Sequence, residues 1–382
     1  MMETEVKEKI KEGNRRVMDW VFSRFGKENW PEIERKEQVN GYAFVRSYPI
    51  LGIEKYLGMW DSDRRLPYFP SLKLTNDSYS TYMYAEFNET FDKDEIIFGG
   101  KPAEGKELKR FMKIVNKFRE ITGIRTHVKI ISKHVPKIGN IRGKGLGLSA
   151  SASGAAASAL LAAAGYVDLY NNNRFLSYLA RYLSGSGTSS AAGGFSVWFG
   201  YEGIDEIDSY GVKIDDGNWV DLVIVPIPLE GFKTSSAHKA AVASPFYYEW
   251  AVKKPEWVLD LMEGIVNHDI DVVGKHAEKD AYWLTMLMST GGNYVNYMPT
   301  TIDVIREVVR IRREEGINAY YTMDTGPSVV VITEKGKGEL ILEMLKSKFK
   351  DLTIYISKSA GCPEILSNKD DINKAKEILN ME

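Results

Sequence analysis

Apolar residues at Val6, Ile10, Val17, Trp20 and Val21 recur at near-helical spacing between charged positions, and predict an amphipathic helix over 6–25. Alternating, β-rich segments follow. Gly41 to Arg46, Ser71 to Thr75, Tyr79 to Phe87 and Arg125 to Ser132 read as strands, with a charged helix near 107–122 before the last of them. An Ala-rich helix and a second helix near 173–183 come next, then a strand over 193–200, a polar connection over 201–218 and a buried strand over 220–226. Helices are expected at 244–253, 258–268 and 271–288, with Pro255 marking a break between the first two, and another at 302–315. Two strands, Tyr320 to Met323 and Val329 to Thr333, flank the tight turn Asp324-Thr325-Gly326-Pro327. A helix at 338–349, a strand at 352–357 and a terminal helix complete the pattern. Strands and helices mixed without strict alternation predict an α+β fold in two lobes that meet near 205–220.

The length, 382 residues, suits an N-terminal helical extension (1–38) and two domains (39–215 and 216–382). Lys plus Arg (50) nearly balances Asp plus Glu (52), and a net charge of -2 gives no global field to hold nucleic acid or an anionic membrane. Any anion site must be local. One cysteine, Cys362, excludes an intrachain disulfide framework and a thiolate zinc cluster, and fits a reducing cytoplasm. The charged first residues lack an apolar signal core, and the longest apolar run, Ala155 to Tyr166, is too short to span a bilayer. A soluble, cytoplasmic protein is expected.

Gly143-Lys144-Gly145-Leu146-Gly147-Leu148-Ser149-Ala150-Ser151 runs straight into the Ala-rich helix. Glycines let main chain approach an anion, and the free N–H groups of a first helical turn bind phosphate. The other reading is a Gly/Ser loop that allows tight packing. Four more segments carry candidate chemistry: Lys55 within Gly52 to Gly58, the hydroxyl-rich loop Ser184 to Ser190, Thr234-Ser235-Ser236 with Lys239, and Asp324 at its strand-end turn. Each has a plain alternative as a solvated lysine, a turn or a helix cap.

In their order along the chain these segments resemble the GHMP superfamily of small-molecule kinases and, within it, the mevalonate diphosphate decarboxylase branch. The family's Lys-Tyr-Trp-Gly is similar to Lys55-Tyr56-Leu57-Gly58, and its Leu-Pro-x-x-x-Ser-Leu-Ser-x-Thr to Leu66 through Thr75. Its Gly-Leu-Ala-Ser-Ser-Ala loop falls on Gly145 to Ala150, and its Ala-Arg-x-Gly-Ser-Gly-Ser-Ala-Cys-Arg-Ser-Leu-Phe-Gly-Gly run on Ala180 through Gly194 without a gap. Lys233 to Ser236 and Thr322 to Pro327 complete the set. The resemblance implies a GHMP-kinase-like two-lobed fold, with a ribosomal-S5-like first lobe, a ferredoxin-like second lobe and the substrate between them. It implies Asp324 as catalytic aspartate and Lys55 as its neighbouring lysine, facing each other across the lobe boundary. Tyr56, Ser184, Gly185 and Ser186 lie near substrate by the same analogy, and a homodimer is a family expectation.

The departures matter as much. The family's substrate arginine falls on Ser189, and the first loop serine, usually near ATP phosphates and metal, is Leu148. Lys144 within the loop and Lys73 in place of a family serine add cations. This pattern suits an archaeal-type mevalonate 3,5-bisphosphate decarboxylase, which receives its 3-phosphate already installed and needs no ATP or metal. The loop residues Gly145, Gly147, Ser149, Ala150 and Ser151 would then hold substrate phosphate or be vestigial. The alternatives are an ATP- and magnesium-dependent decarboxylase of mevalonate diphosphate or 5-phosphate, a mevalonate-type kinase, and a non-catalytic metabolite-binding homologue.

Overall fold

The computed structural model describes residues 4–139, 145–229, 234–292 and 294–381. The chain begins with α1 (Thr4–Phe25), β1 (Gly41–Ser47), β2 (Ile50–Glu54), β3 (Met59–Asp61), β4 (Leu66–Pro67), β5 (Ser71–Thr75) and β6 (Tyr79–Phe87). It continues with β7 (Glu95–Phe98), β8 (Lys101–Pro102), α2 (Gly105–Thr122), β9 (Val128–Pro136) and α3 (Leu148–Ala163). Then come α4 (Val167–Asn171), α5 (Asn173–Arg181), α6 (Gly187–Ala192), β10 (Phe195–Trp198), β11 (Gly211–Asp215) and β12 (Val220–Val225). The second half holds α7 (Thr234–Val242), α8 (Tyr247–Val266), α9 (Ile270–Gly292), α10 (Pro299–Glu314), β13 (Ala319–Thr322) and β14 (Val329–Glu334). It ends with α11 (Gly338–Lys348), β15 (Tyr355–Lys358), β16 (Glu364–Ile365) and α12 (Lys369–Leu379).

Three larger sheets, β16-β1-β6-β9-β7-β8, β11-β10-β5-β2 and β13-β14-β12-β15, organise these elements, and β3 and β4 form a separate two-stranded pair. The first packs against α2, α3 and α5 through Val45, Met83, Ile130, Phe118, Leu160 and Phe175. The second and third share one core with α1, α8 and α9, in which Leu72, Val197, Leu222, Val330, Val258 and Val17 are all fully buried. The halves are therefore joined by hydrophobic packing, and α1 is part of that junction. After β15 the chain returns to the first sheet, where β16 pairs antiparallel with β1.

The structure departs from the sequence pattern in several places, among them short strands such as β2 that the pattern does not mark. The polar connection expected over 201–218 contains β11, which pairs with β10. The hydroxyl-rich loop after Ser184 tightens into the short helix α6. Pro255, expected to break a helix, lies inside α8, whose buried face (Ala251, Lys254, Pro255, Val258, Met262) continues through it. An interior proline forfeits a backbone hydrogen bond, at a cost of about 3 kcal/mol. Burial of that face offsets it, because α1 crosses at this point with Gly13 against the proline ring. A Cβ at Gly13 would stand 2.5 Å from Pro255 Cβ.

Gly13→Ala thus tests the crossing. In an unobstructed helix the change stabilises by roughly 1 kcal/mol, but overpacking here should reverse the sign and destabilise by about 1–3 kcal/mol in a urea titration.

Candidate active site

Lys55 follows directly on β2, and its position is set by a carboxylate from the other half of the chain. Asp280 Oδ2, on α9, accepts from both the backbone N and the Nζ of Lys55, each at 3.1 Å. The same ammonium donates to Thr322 Oγ1 at 3.0 Å, at the end of β13, two residues before Asp324. Asp280 Oδ1 accepts from Lys254 on α8 at 2.6 Å, Lys254 also pairs with Glu54, and His276 Nδ1 lies 2.9 Å from Glu54 Oε1. All these groups are buried. Burial disfavours ionised Asp280, but the ammoniums of Lys254 and Lys55 outweigh it and hold its pKa down to about 2. Burial likewise opposes the charge on Lys254, and Asp280 and Glu54 raise its pKa instead.

Lys55, expected as the lysine neighbouring and facing Asp324, has its ion pair with Asp280. Lys55 reaches the strand that presents Asp324 rather than its carboxylate. Half-buried Asp324 accepts Thr325 N on Oδ1 at 2.9 Å, and its turn is gripped by Asn296, donating to Asp324 O at 3.4 Å, and by Thr301, donating to Pro327 O at 2.9 Å.

Tyr56, Lys73 and the Ser184–Ser186 loop come together beside this turn. Tyr56 packs edge-on against Trp198 at 4.9 Å, and a Cβ on Gly185 would lie 2.7 Å from Trp198 and 3.2 Å from the Tyr56 hydroxyl. Gly185 thus lets the loop close onto the two rings. Burial raises the Tyr56 pKa, with a hydrogen bond from Ser186 opposing and Asp324 reinforcing the shift. Lys73, 2% exposed, donates to Ser71 Oγ at 2.8 Å and lies over the faces of Tyr56 (5.2 Å) and Trp198 (4.9 Å). It has no ion pair among the described residues. Burial pushes its pKa down to about 7, with Asp324 acting upward and Lys254 downward.

The glycine loop reaches the same place by close backbone contact. Gly145 (φ 84°) rests against Gly326 and Asp324: a Cβ there would come within 2.9 Å of Gly326 N and 3.6 Å of Asp324 Cβ. Gly147 (φ 66°) precedes α3, where a Cβ would stand 2.2 Å from Ile50 O. Ser149 is exposed at the helix start, with its Oγ 3.4 Å from Ser184 Oγ.

Three further expected ligands, Ala150, Ser151 and Ser189, lie in the buried interior. The Ala150 amide donates to Gly147 O at 3.1 Å. Ser151 is buried and donates to Thr81, which in turn meets His134 Nδ1 at 2.7 Å. Ser189 is fully buried in α6, and its carbonyl accepts from Thr75 at 3.1 Å. Lys144 and Lys233 lie outside the described residues.

Asp280, Lys254 and His238 were not singled out by the sequence. His238, on α7, packs 5.4 Å from the Tyr56 ring, and burial lowers its pKa against the pull of Asp324. Its one signal is proximity to the Thr234–Ser236 segment. Among the described residues no group of three or more His, Cys, Asp or Glu is arranged to hold a metal, and no helix is long and apolar enough to cross a membrane.

The family model described as the diphosphomevalonate decarboxylase-like N-terminal domain matches residues 47–211. The phosphomevalonate decarboxylase of Haloferax volcanii is 31% identical over 293 residues, covering 76% of this chain and 88% of that protein. The chain belongs to the mevalonate-phosphate decarboxylase family. The mevalonate 3,5-bisphosphate decarboxylase of Thermoplasma acidophilum is 28% identical over 76% of this chain and 70% of its own length. Among solved structures, mevalonate diphosphate decarboxylase from Staphylococcus aureus matches with a TM-score of 0.77 and 26% identity, over 86% of this chain and 99% of that one. The Enterococcus faecalis enzyme (TM-score 0.75, 24% identity, 86% and 100% covered) shares the fold. The GHMP-kinase-like α+β fold expected from the sequence is thereby established for this family member.

Asp280→Asn should destabilise the protein by about 3–5 kcal/mol at pH 7, because it leaves buried ammoniums short of a counter-charge. A depressed carboxylate pKa contributes stability above its unfolded value of 3.8 that is lost as pH falls through about 2. The gap between wild type and variant in denaturant titrations should therefore narrow between these two pH values.

Proposed function

We propose that this family member converts mevalonate 3,5-bisphosphate to isopentenyl phosphate, carbon dioxide and phosphate without ATP. The observation that carries the reading is Lys73, a buried cation with no carboxylate partner among the described residues, in the electrostatic field of Asp324. An uncompensated buried ammonium is costly unless an anion meets it. A 3-phosphate already on the substrate is such an anion, and it makes transfer from a nucleotide unnecessary. The helix entrance supports the same conclusion. Leu148, where the family carries a serine, packs against the central core and offers no oxygen to a metal or phosphate. ATP and magnesium therefore fit this entrance poorly.

In the reaction the C3–O bond breaks, the C1–C2 bonding pair forms the C2=C3 double bond, and carbon dioxide departs. Positive charge develops at C3 as phosphate leaves. Asp324, presented by its gripped turn, stabilises that charge and repels the substrate carboxylate that must be lost. Lys55 positions the β13 end through Thr322 and is itself fixed by Asp280. Tyr56, Ser184, Gly185, Ser186 and Ser149 would line the substrate.

A second reading, ATP-dependent decarboxylation of mevalonate 5-phosphate, is favoured by the named activity of the Haloferax volcanii relative. One experiment separates the two. Purified protein given mevalonate 3,5-bisphosphate without nucleotide should release carbon dioxide and phosphate in equal amounts. Magnesium-dependent ADP formation from mevalonate 5-phosphate, with the bisphosphate inert, would overturn the proposal. Asp324→Asn should lower kcat by roughly 10²–10³-fold with its thermal midpoint kept; a rate near wild type would remove Asp324 from the chemistry.

A further inference from the structure

Three buried lysines converge here, and they differ in what holds them. Lys254 sits between Glu54 and Asp280, and Lys55 against Asp280 and Thr322. Among the described residues the direct contacts of Lys73 are neutral: the Ser71 hydroxyl and the faces of Tyr56 and Trp198. A proton taken from Lys254 or Lys55 would leave a buried carboxylate uncompensated, which is strongly unfavourable. A proton taken from Lys73 strands no charge.

The reaction proposed above needs such a proton. A phosphate monoester dianion that leaves with both electrons of the C3–O bond becomes a trianion unless a proton reaches the bridging oxygen. We propose that Lys73 is the proton donor to the departing 3-phosphate, a catalytic acid as well as a binding cation. This inference rests on the ATP-independent reading. As the C3–O bond breaks, its electron pair passes to the bridging oxygen, which takes a proton from Lys73 Nζ. The C1–C2 pair becomes the C2=C3 bond and carbon dioxide leaves. The products are hydrogen phosphate, carbon dioxide, the alkenyl monophosphate and neutral Lys73, which water reprotonates once phosphate has gone.

The surroundings suit an acid that gives up its proton near neutrality. Among the described residues, the charged and titratable groups facing Lys73 are Asp324 from the β13–β14 turn, Lys254 from α8 and the Tyr56 phenol, with His238 of α7 beyond Tyr56. Its neighbours along the sheet, Gly52 of β2 and Ser196 of β10, are neutral. Burial dominates and holds the free enzyme's Lys73 at about 7, and an arriving phosphate dianion restores the ammonium. The protonated form is the active one, so kcat/KM should fall as pH rises through about 7 while kcat in the bound complex stays level to higher pH.

The test uses the whole protein with mevalonate 3,5-bisphosphate and no nucleotide. Carbon dioxide release by the wild type is read first, and its absence refutes the ATP-independent reading itself. Given turnover, Lys73→Arg keeps a cation but not a transferable proton. It should keep KM within about threefold, lose kcat by about 100-fold or more, and lose the basic limb of kcat/KM. Single turnovers of the wild type should show a normal solvent deuterium isotope effect, which also decides the matter if the arginine variant does not fold. A variant that keeps kcat within about threefold, or a wild-type single turnover with no isotope effect, would leave Lys73 a binding cation only.

Discussion

The site depends on one buried charge cluster, in which Asp280 answers Lys254 and Lys55 at once while Glu54 answers Lys254. Its members come from the end of β2, from α8 and from α9, so it ties the two halves at the point where the candidate site begins. Removing charges from water is expensive, and their mutual attraction repays this only when the geometry is good. Here a single carboxylate oxygen receives both the backbone and the side chain of Lys55. That double contact fixes the direction of the chain into Tyr56. Tyr56 and Trp198 in turn form the aromatic floor on which Lys73 lies.

Two kinds of buried lysine therefore coexist within one small region. Those neutralised by carboxylates are committed to architecture, because neither can change protonation state without exposing a partner. The one surrounded by hydroxyl and ring faces remains responsive to an incoming anion. The electrostatic effect of Asp324 on Lys73, Tyr56 and His238 alike shows how one half-buried carboxylate couples these groups without a direct contact to Lys55.

Much of this was legible in the chain and some was not, for physical reasons. The helix over 6–25 and the strands near 41–47, 71–75 and 79–87 were found because their periodicities are clear. β2 was missed because Ile50–Glu54 is buried on both faces and so shows no alternation. Lys73 sits on the face of β5 that also carries Ser71 and Thr75, which reads as a polar face, yet all five residues are buried. Pro255 misled because local propensity carries no information about a crossing helix that leaves room for its ring. The partner of Lys55 was unreadable for another reason: Asp280 is 225 positions away, and only the fold brings it close.

The glycine loop illustrates how a motif and its chemistry can part company. Its pattern pointed to a phosphate cradle, but Gly147 is required by contact with the Ile50 carbonyl and Gly145 by contact with the Asp324 turn. Both positions also have positive φ, a conformation that side chains with a Cβ adopt only at a cost. Backbone packing alone thus demands these glycines, whether or not a nucleotide ever binds. Leu148 then fastens the loop to the core with a side chain that no phosphate needs. What the loop still supplies to the site is position: it presses the turn bearing Asp324 into place and sets Ser149 opposite Ser184. A loop kept for its shape is free to lose its ATP ligands, and on the ATP-independent reading proposed for this protein the anion-binding burden falls on Lys73.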